Sequence, residues 1–227
     1  ARASISKVDV SKASNAPGVV KILTGDDLAE DKIGGLIAGW KIVSQDGTDM
    51  KVPAHPPLAN NTVNYVGDHV AVVIAETLDQ AREAADLVRV DYKVLKAVVK
   101  TSDALNSKPI HEGIDKNLCF DWGLGDKSKT DEAFSKAEKI IKIDLVNNRL
   151  IPNAMEPRAS IGDYNPSSEN LTLYTTNQNP HLTRLVLSAF CAIQPEHKFR
   201  VVAPDVGGGF GSKIYPYAED AVIAWTA

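Results

Sequence analysis

The sequence predicts an α+β fold in two units, and three observations carry that reading. Short apolar, β-branched runs at Val19–Leu23 and His69–Ala75 are each followed by helix-start residues, the alternation of a mixed α and β unit. A second series of strand and helix signals fills residues 130–227. Between the two, residues 106–129 hold Pro109, Gly113, Gly123 and Gly125 among several Ser and Lys, the composition of a linker. The expected units are therefore 1–105 and 130–227.

In chain order, Ala1–Ile5 reads as a strand rather than as a signal-peptide layout. The chain lacks an initiator Met and reads as part of a longer polypeptide. Ala16-Pro17-Gly18 is a turn into the strand Val19–Leu23, and Thr24–Leu28 a turn with a brief helix. Residues 31–61 are rich in Gly, Pro, Asn and Asp, and Pro53, Pro56 and Pro57 forbid regular pairing there. His69–Ala75 is apolar enough for a strand covered on both faces. Thr77 and Gln80 have the spacing of a capping box, in which hydroxyl and amide satisfy the first free N–H groups of a helix. Ala81, Ala84, Ala85 and Val88 then share one face of that helix. Leu87–Tyr92 alternates like a strand.

In the second unit Thr130–Ala137 is a short helix capped by Thr130 or Asp131, and Lys139–Val146 alternates as a half-buried strand. Leu171–Thr175 is a further strand. Asn179 caps a helix whose first residue is Pro180, where the missing N–H costs nothing. Leu182, Leu185, Val186, Ala189, Phe190 and Ile193 form its apolar stripe. Phe199–Ala203 is a strand that leads into glycines, and Ala221–Trp225 is again apolar.

Composition excludes several functions. The net charge is −4, from 25 basic and 29 acidic residues, with no basic block to bind nucleic acid. No run reaches the roughly 18–20 apolar residues of a membrane span. Cys119 and Cys191 lie far apart and show no zinc spacing, so free buried thiols in a reducing, cytoplasmic compartment are expected. The five histidines are unclustered, which argues against a metal ligated directly by these side chains.

Three segments have the chemistry of a site. In Val202–Lys213, VAPDVGGGFGSK, four of the five residues from Gly207 to Gly211 are glycine. Such a loop wraps its bare backbone N–H groups around an anion or a flat polar cofactor, or makes a tight bend. It is not a P-loop, because Ser212 stands at the second glycine position and Ile214 follows Lys213. Ser212 also breaks the dinucleotide fingerprint. In Thr175–His181, TTNQNPH, capping accounts for Asn179 and leaves Gln178 unexplained; a primary amide there can donate to an oxygen without adding charge. In Asn148–Ala159, NRLIPNAMEPRA, Glu156 and Arg158 sit between prolines and read as an ion pair or loop clamp rather than as catalysts.

Together with ARASI at Ala1–Ile5, APGVVKILTGDDL at Ala16–Leu28 and YVGDHVAVVIAETLDQAREAADLVRVDY at Tyr65–Tyr92, these segments resemble the molybdenum-binding subunit of the xanthine oxidase family. RLIPNAMEPRA and GGGFGSK look closer to carbon monoxide dehydrogenase-like large chains than to animal xanthine oxidases. The resemblance implies an aldehyde oxidase/xanthine dehydrogenase α/β hammerhead domain (1–105), a linker (106–129) and the first part of a molybdenum-cofactor-binding domain (130–227). It implies a molybdopterin cofactor with Mo, in its cytosine dinucleotide form, approached by the Gln178 amide and by the backbone of Gly208, Gly209, Phe210 and Gly211. It implies electron transfer to [2Fe–2S] clusters and FAD on partner subunits or domains, and water-derived hydroxylation of an aldehyde, CO or an N-heterocycle carbon. The family's catalytic glutamate, and the copper-binding cysteine of carbon monoxide dehydrogenases, are expected beyond Ala227. Ile214 stands where xanthine oxidases have a substrate-binding glutamate, which argues against purines. The alternatives are a non-catalytic structural or assembly module and a phosphate-binding domain.

Overall fold

β1 (Ala3–Asp9) opens the first unit of a computed structural model that describes all residues 1–227. β2 (Val19–Thr24) leads into α1 (Gly25–Glu30), where the Asp27 carboxylate accepts from Thr24 N–H at 2.7 Å. A long irregular stretch follows, as its prolines demand, up to the two-residue β3 (Thr62–Val63). Then come β4 (Ala71–Ala75), α2 (Leu78–Leu87) and β5 (Arg89–Val94). The Thr77–Gln80 capping box is present, with Thr77 N–H donating to the Gln80 amide oxygen at 3.1 Å. The strands form two antiparallel sheets, β3-β1-β5 and β2-β4.

A short α3 (Thr101–Ala104) precedes α4 (Lys127–Lys136), which starts inside the stretch expected to be linker. Its cap is Asp126, whose carboxylate accepts from Lys129 N–H at 3.0 Å, not Thr130 or Asp131. β6 (Ser160–Asn165) and β7 (Asn170–Thr175) make an antiparallel hairpin. α5 (Pro180–Ala189) then carries the chain to β8 (Phe199–Val202), parallel to β7; parallel neighbours need such a crossover. α6 (Ala218–Trp225) completes the order.

Several expectations are corrected. Lys139–Val146 forms no strand: it has no ladder partner, and Ile141, Ile143, Leu145 and Val146 are exposed. Alternation supplies a face to bury, but a strand exists only when its N–H and C=O groups find a neighbour. β4 is half-buried rather than covered on both faces, because it lies in a two-stranded sheet. Only Ala84 of the expected α2 face is buried; Ala85 is exposed and Val88 lies past the helix end. On α5 the buried residues are Thr183, Val186 and Leu187, whereas Leu185 and Phe190 are exposed. The hairpin strand β6 has no counterpart in the sequence reading, because SIGDYN shows no apolar alternation.

The main core lies between the second sheet and its helices: Leu171, Leu173 and Phe199 from the strands, Val186 and Leu187 from α5, Cys191, and Ala221 and Ala224 from α6. The other side of α6 reaches the first unit, where Val222 packs with Leu28 and Leu58 and Trp225 Nε1 donates to the Asp31 carboxylate at 2.9 Å. Both cysteines are free, Cys119 half-buried and Cys191 buried. Burial pushes the Cys191 thiol up to about 11 from its ordinary 9.0, so at pH 8 it holds roughly a hundredfold less thiolate than an ordinary cysteine. A disulfide-exchange reagent at pH 8 is expected to titrate Cys119 alone in the native chain and both thiols after denaturation. Equal native rates would contradict this.

Candidate functional site

The segment after β7 carries three primary amides, and the fold gives each a different task. Asn177 is buried, and its side-chain oxygen accepts from Asn179 N–H at 2.6 Å. Asn179 caps α5 by accepting from Leu182 N–H at 3.2 Å. Gln178 is exposed and turns to the glycine loop: its Oε1 accepts from Gly211 N–H at 3.0 Å and from Lys213 N–H at 3.2 Å. Its own N–H donates to Lys213 O at 2.7 Å. Backbone N–H groups only donate, so these bonds fix which end of the amide faces the loop. The Nε2 donor is left without an intramolecular partner.

The loop itself is held open by left-handed backbone. Gly208 and Gly211 have φ +95° and +83°, and Phe210 joins them at φ +50°. A left-handed conformation costs a side-chain-bearing residue about 1–2 kcal/mol, and its presence here marks a loop whose shape is imposed from outside. A Cβ at Gly209 would lie 2.3 Å from Gln178 Cδ, so a side chain there would push the Gln178 amide from its place on the loop. The Phe210 ring folds over Gly208. From Gly207 to Lys213 every N–H is accounted for except two. Gly207 donates to Glu156, Gly208 to Val206 O, Gly211 and Lys213 to Gln178, and Ser212 to Gly209 O. Gly209 and Phe210 keep unpaired N–H groups, adjacent in the chain and beside the Gln178 amide.

Glu156 is a clamp, as its setting between prolines suggests, but not with Arg158. Its Oε2 accepts from Gly207 N–H at 2.8 Å and from Lys213 Nζ at 3.0 Å, and Lys213 Nζ also donates to Glu156 O at 2.8 Å. The Gly207 N–H first, and then the Lys213 ammonium, hold the Glu156 carboxyl below its usual range. Such a carboxylate is a poor proton acceptor near neutral pH. Arg158 instead pairs with Glu219 at 3.1 Å and stacks 3.6 Å from the Tyr217 ring centre. His69 of the first unit lies 3.8 Å from the same Glu219. The Tyr217 hydroxyl donates to Ser212 O and so fastens the loop's far end.

Beneath this lies a buried acceptor. The Asp220 carboxylate takes hydrogen bonds from Ser160 Oγ at 2.6 Å, Thr175 Oγ1 at 2.8 Å and Tyr217 N–H at 2.9 Å. It ties the start of α6 to β6 and β7. Asp220→Asn puts an NH₂ against donors on one side, and is expected to lower stability by about 2 kcal/mol in denaturant titration. An unchanged midpoint would show that the network is dispensable.

Gln178, Gly209, Gly211 and, through its ring contact with Phe210, Gly208 therefore converge as one surface. It is open rather than enclosed. A cleft of about 700 Å³ has Glu156, Arg158, Ser212, Lys213 and Tyr217 in its wall but none of Gln178 and Gly207–Gly211. Ile214, after Lys213, is half-buried. Sequence reasoning missed the parts played by Lys213, Tyr217 and Asp220. The Lys213–Glu156 and Asp220–Ser160 contacts span 57 and 60 residues, beyond any local pattern, whereas the Tyr217–Asp220 contact that starts α6 spans three. No helix is long and apolar enough to cross a membrane.

Comparisons with known proteins bear on the two units as wholes. Residues 1–96 match the model of the aldehyde oxidase and xanthine dehydrogenase α/β hammerhead domain, and residues 110–227 that of the molybdopterin cofactor-binding domain. The chain is 31% identical over 223 residues to the nicotine 6-hydroxylase large subunit of Paenarthrobacter nicotinovorans, covering 98% of this chain and 26% of that protein. It is 33% identical over 234 residues to the carbon monoxide dehydrogenase large chain of Afipia carboxidovorans, covering 96% and 27%. A solved structure of reconstituted CO dehydrogenase from Oligotropha carboxidovorans superposes with TM-score 0.83 at 31% identity, over 99% of this chain and 28% of that one. The chain thus spans about a quarter of the length of these relatives. With both family models matched in order over most of its residues, the chain belongs to the aldehyde oxidase and xanthine dehydrogenase family and carries its α/β hammerhead and molybdopterin cofactor-binding domains.

Proposed function

We propose that the chain is part of the large subunit of a molybdenum hydroxylase, with a hammerhead domain at 1–105, a linker at 106–129 and the opening of the cofactor domain at 130–227. In this reading Gln178, Gly208, Gly209, Phe210 and Gly211 form the surface that receives the molybdopterin. One observation carries it: the N–H groups of Gly209 and Phe210 are unpaired on a loop stapled at both ends, and Gln178, whose Oε1 makes one of those staples, has its uncharged Nε2 donor unpaired as well. Neutral donors suit an oxygen-rich anionic centre, because they stabilise oxygen ligands without changing the net charge around the metal. When bound, the molybdenum group supplies the redox chemistry, and the protein orients it and tunes its electrostatics.

The reaction class is the oxidative hydroxylation of an aldehyde, CO or an N-heterocycle, with electrons passed to [2Fe–2S] and FAD partners and a cytosine dinucleotide form of the cofactor. Relatives named for carbon monoxide and nicotine support that range. Glu156 is bound up in the clamp and is not assigned the role of base; the family resemblance implies a catalytic glutamate beyond Ala227. A cytoplasmic setting fits two free thiols. The structural-module and phosphate-binder alternatives have less support, since they leave the match to the molybdopterin cofactor-binding domain without purpose.

The test is molybdenum and pterin analysis of the full-length protein from a molybdenum-replete host. Near-stoichiometric metal with cytosine released on hydrolysis is expected. Full-length protein free of both would overturn the proposal.

A further inference from the structure

Lys213 is the least expected residue of the molecule. It is 2% exposed, and a buried ammonium is costly unless it is paired and hydrogen-bonded. Its Nζ has one partner residue, Glu156, through both the carboxylate and the main-chain oxygen. Its main chain exchanges two hydrogen bonds with Gln178: Gln178 N–H to Lys213 O, and Lys213 N–H to Gln178 Oε1. Glu156 in turn accepts from Gly207 N–H, and Gln178 from Gly211 N–H. These contacts close a ring: Gly207 to Glu156, Glu156 to Lys213, Lys213 to Gln178, Gln178 to Gly211. The five residues Gly207–Gly211 span the gap in that ring. Their left-handed conformations at Gly208, Phe210 and Gly211 thus lie between two fixed ends.

We propose that Lys213 and Glu156 are a positioning pair that sets the shape of the glycine loop, and through it the retention of the molybdopterin. The inference rests on the reading of this loop as the cofactor surface given above. Neither residue touches the reacting atoms. The pair fixes the Gly207 end of the loop, as the Gln178 amide fixes the Gly211 end. The two partners are unequal: Lys213 is buried, while the Glu156 side chain is 35% exposed. Loss of the carboxylate strands a charge with no access to water; loss of the ammonium leaves a carboxylate that water can reach.

The experiment uses the full-length subunit in its complex, with Glu156→Gln, Lys213→Met, the double variant, and Gln178→Ala as reference. Both single changes keep shape and remove the charge pairing. Molybdenum and pterin are measured per folded polypeptide, with thermal midpoints and amide exchange at Gly207–Lys213 alongside. Each single variant is expected to retain about tenfold less molybdenum, the order seen when supports of a metal site are removed. The double variant is expected to lose no more than the worse single, since the residues act as one unit. Amide exchange at Gly207 is expected to speed up in Glu156→Gln, because a neutral amide oxygen accepts more weakly than the carboxylate it replaces. Should Lys213→Met fail to fold, Glu156→Gln with its exchange data decides the matter alone. A lower thermal midpoint with unchanged molybdenum per folded chain and unchanged Gly207 exchange would overturn the proposal. Depletion in Gln178→Ala alone would also reject the pair and spare the cofactor reading; full occupancy in Gln178→Ala would reject that reading itself.

Discussion

Gln178→Glu in the full-length enzyme is expected to lower kcat/KM by about a hundredfold while leaving the fold intact. The substitution removes one donor and adds one charge while keeping the oxygen that holds the loop. The carboxylate it introduces can accept from Gly211 and Lys213 N–H as the amide oxygen does, so the staple on the loop survives. What is lost is the unpaired Nε2 donor, and what is added is a negative charge beside a group already rich in oxygen. Removal of one donor aimed at a developing charge typically costs about 10²–10³-fold in rate, and the added charge works in the same direction. Steady-state kinetics with molybdenum content on the same samples separates lost chemistry from lost cofactor. Turnover within about twofold of the parent would show that the amide's outward end has no role.

Gly34→Ala is expected to have the largest effect on stability, about 3 kcal/mol. Gly34 N–H donates to Cys191 O at 2.9 Å, just past the end of α5. A Cβ at Gly34 would lie 1.9 Å from Phe190 O and 3.3 Å from Cys191 Cα, all backbone atoms. No side chain can rotate away, so the 31–38 segment must lift off the second unit and lose that hydrogen bond. For a chain of this size, each kcal/mol lowers the thermal midpoint by about 2–4 °C, so a drop on the order of 10 °C is the expected readout. Gly47→Ala is the control. Gly47 has φ +83° and nothing near its Cβ position, so it loses only the local conformational term of about 1–2 kcal/mol. If Gly34→Ala melts no lower than Gly47→Ala, the close approach of the two units is not a source of stability.

Legibility of the fold followed the range of the interactions involved. The Thr77–Gln80 box and the Asn179–Pro180 helix start were readable because donor and acceptor lie within one turn of each other. β2 and β7 were readable because an apolar run bounded by turn residues has few other uses. Lys139–Val146 misled for the complementary reason: its pattern describes a face, while its state depends on a neighbouring strand. The α5 stripe was rotated because Leu185 and Phe190 are apolar but exposed, and hydrophobicity alone does not say which apolar residues meet the sheet. Glu156 was recognised as a clamp and given the wrong partner. Arg158 is two residues away, and Lys213 is 57.

By itself, then, the amino-acid sequence determined the mixed fold, most strand and helix positions, the glycine loop and the family resemblance, since each is written in residues close together along the chain. The tertiary structure alone decided that Gln178 Oε1 meets Gly211 and Lys213, that Lys213 is buried against Glu156, and that Gly209 and Phe210 keep free N–H groups. Those facts depend on closing loops of more than thirty residues. The path of the intervening chain sets which groups come within 3 Å, and no local periodicity encodes that path.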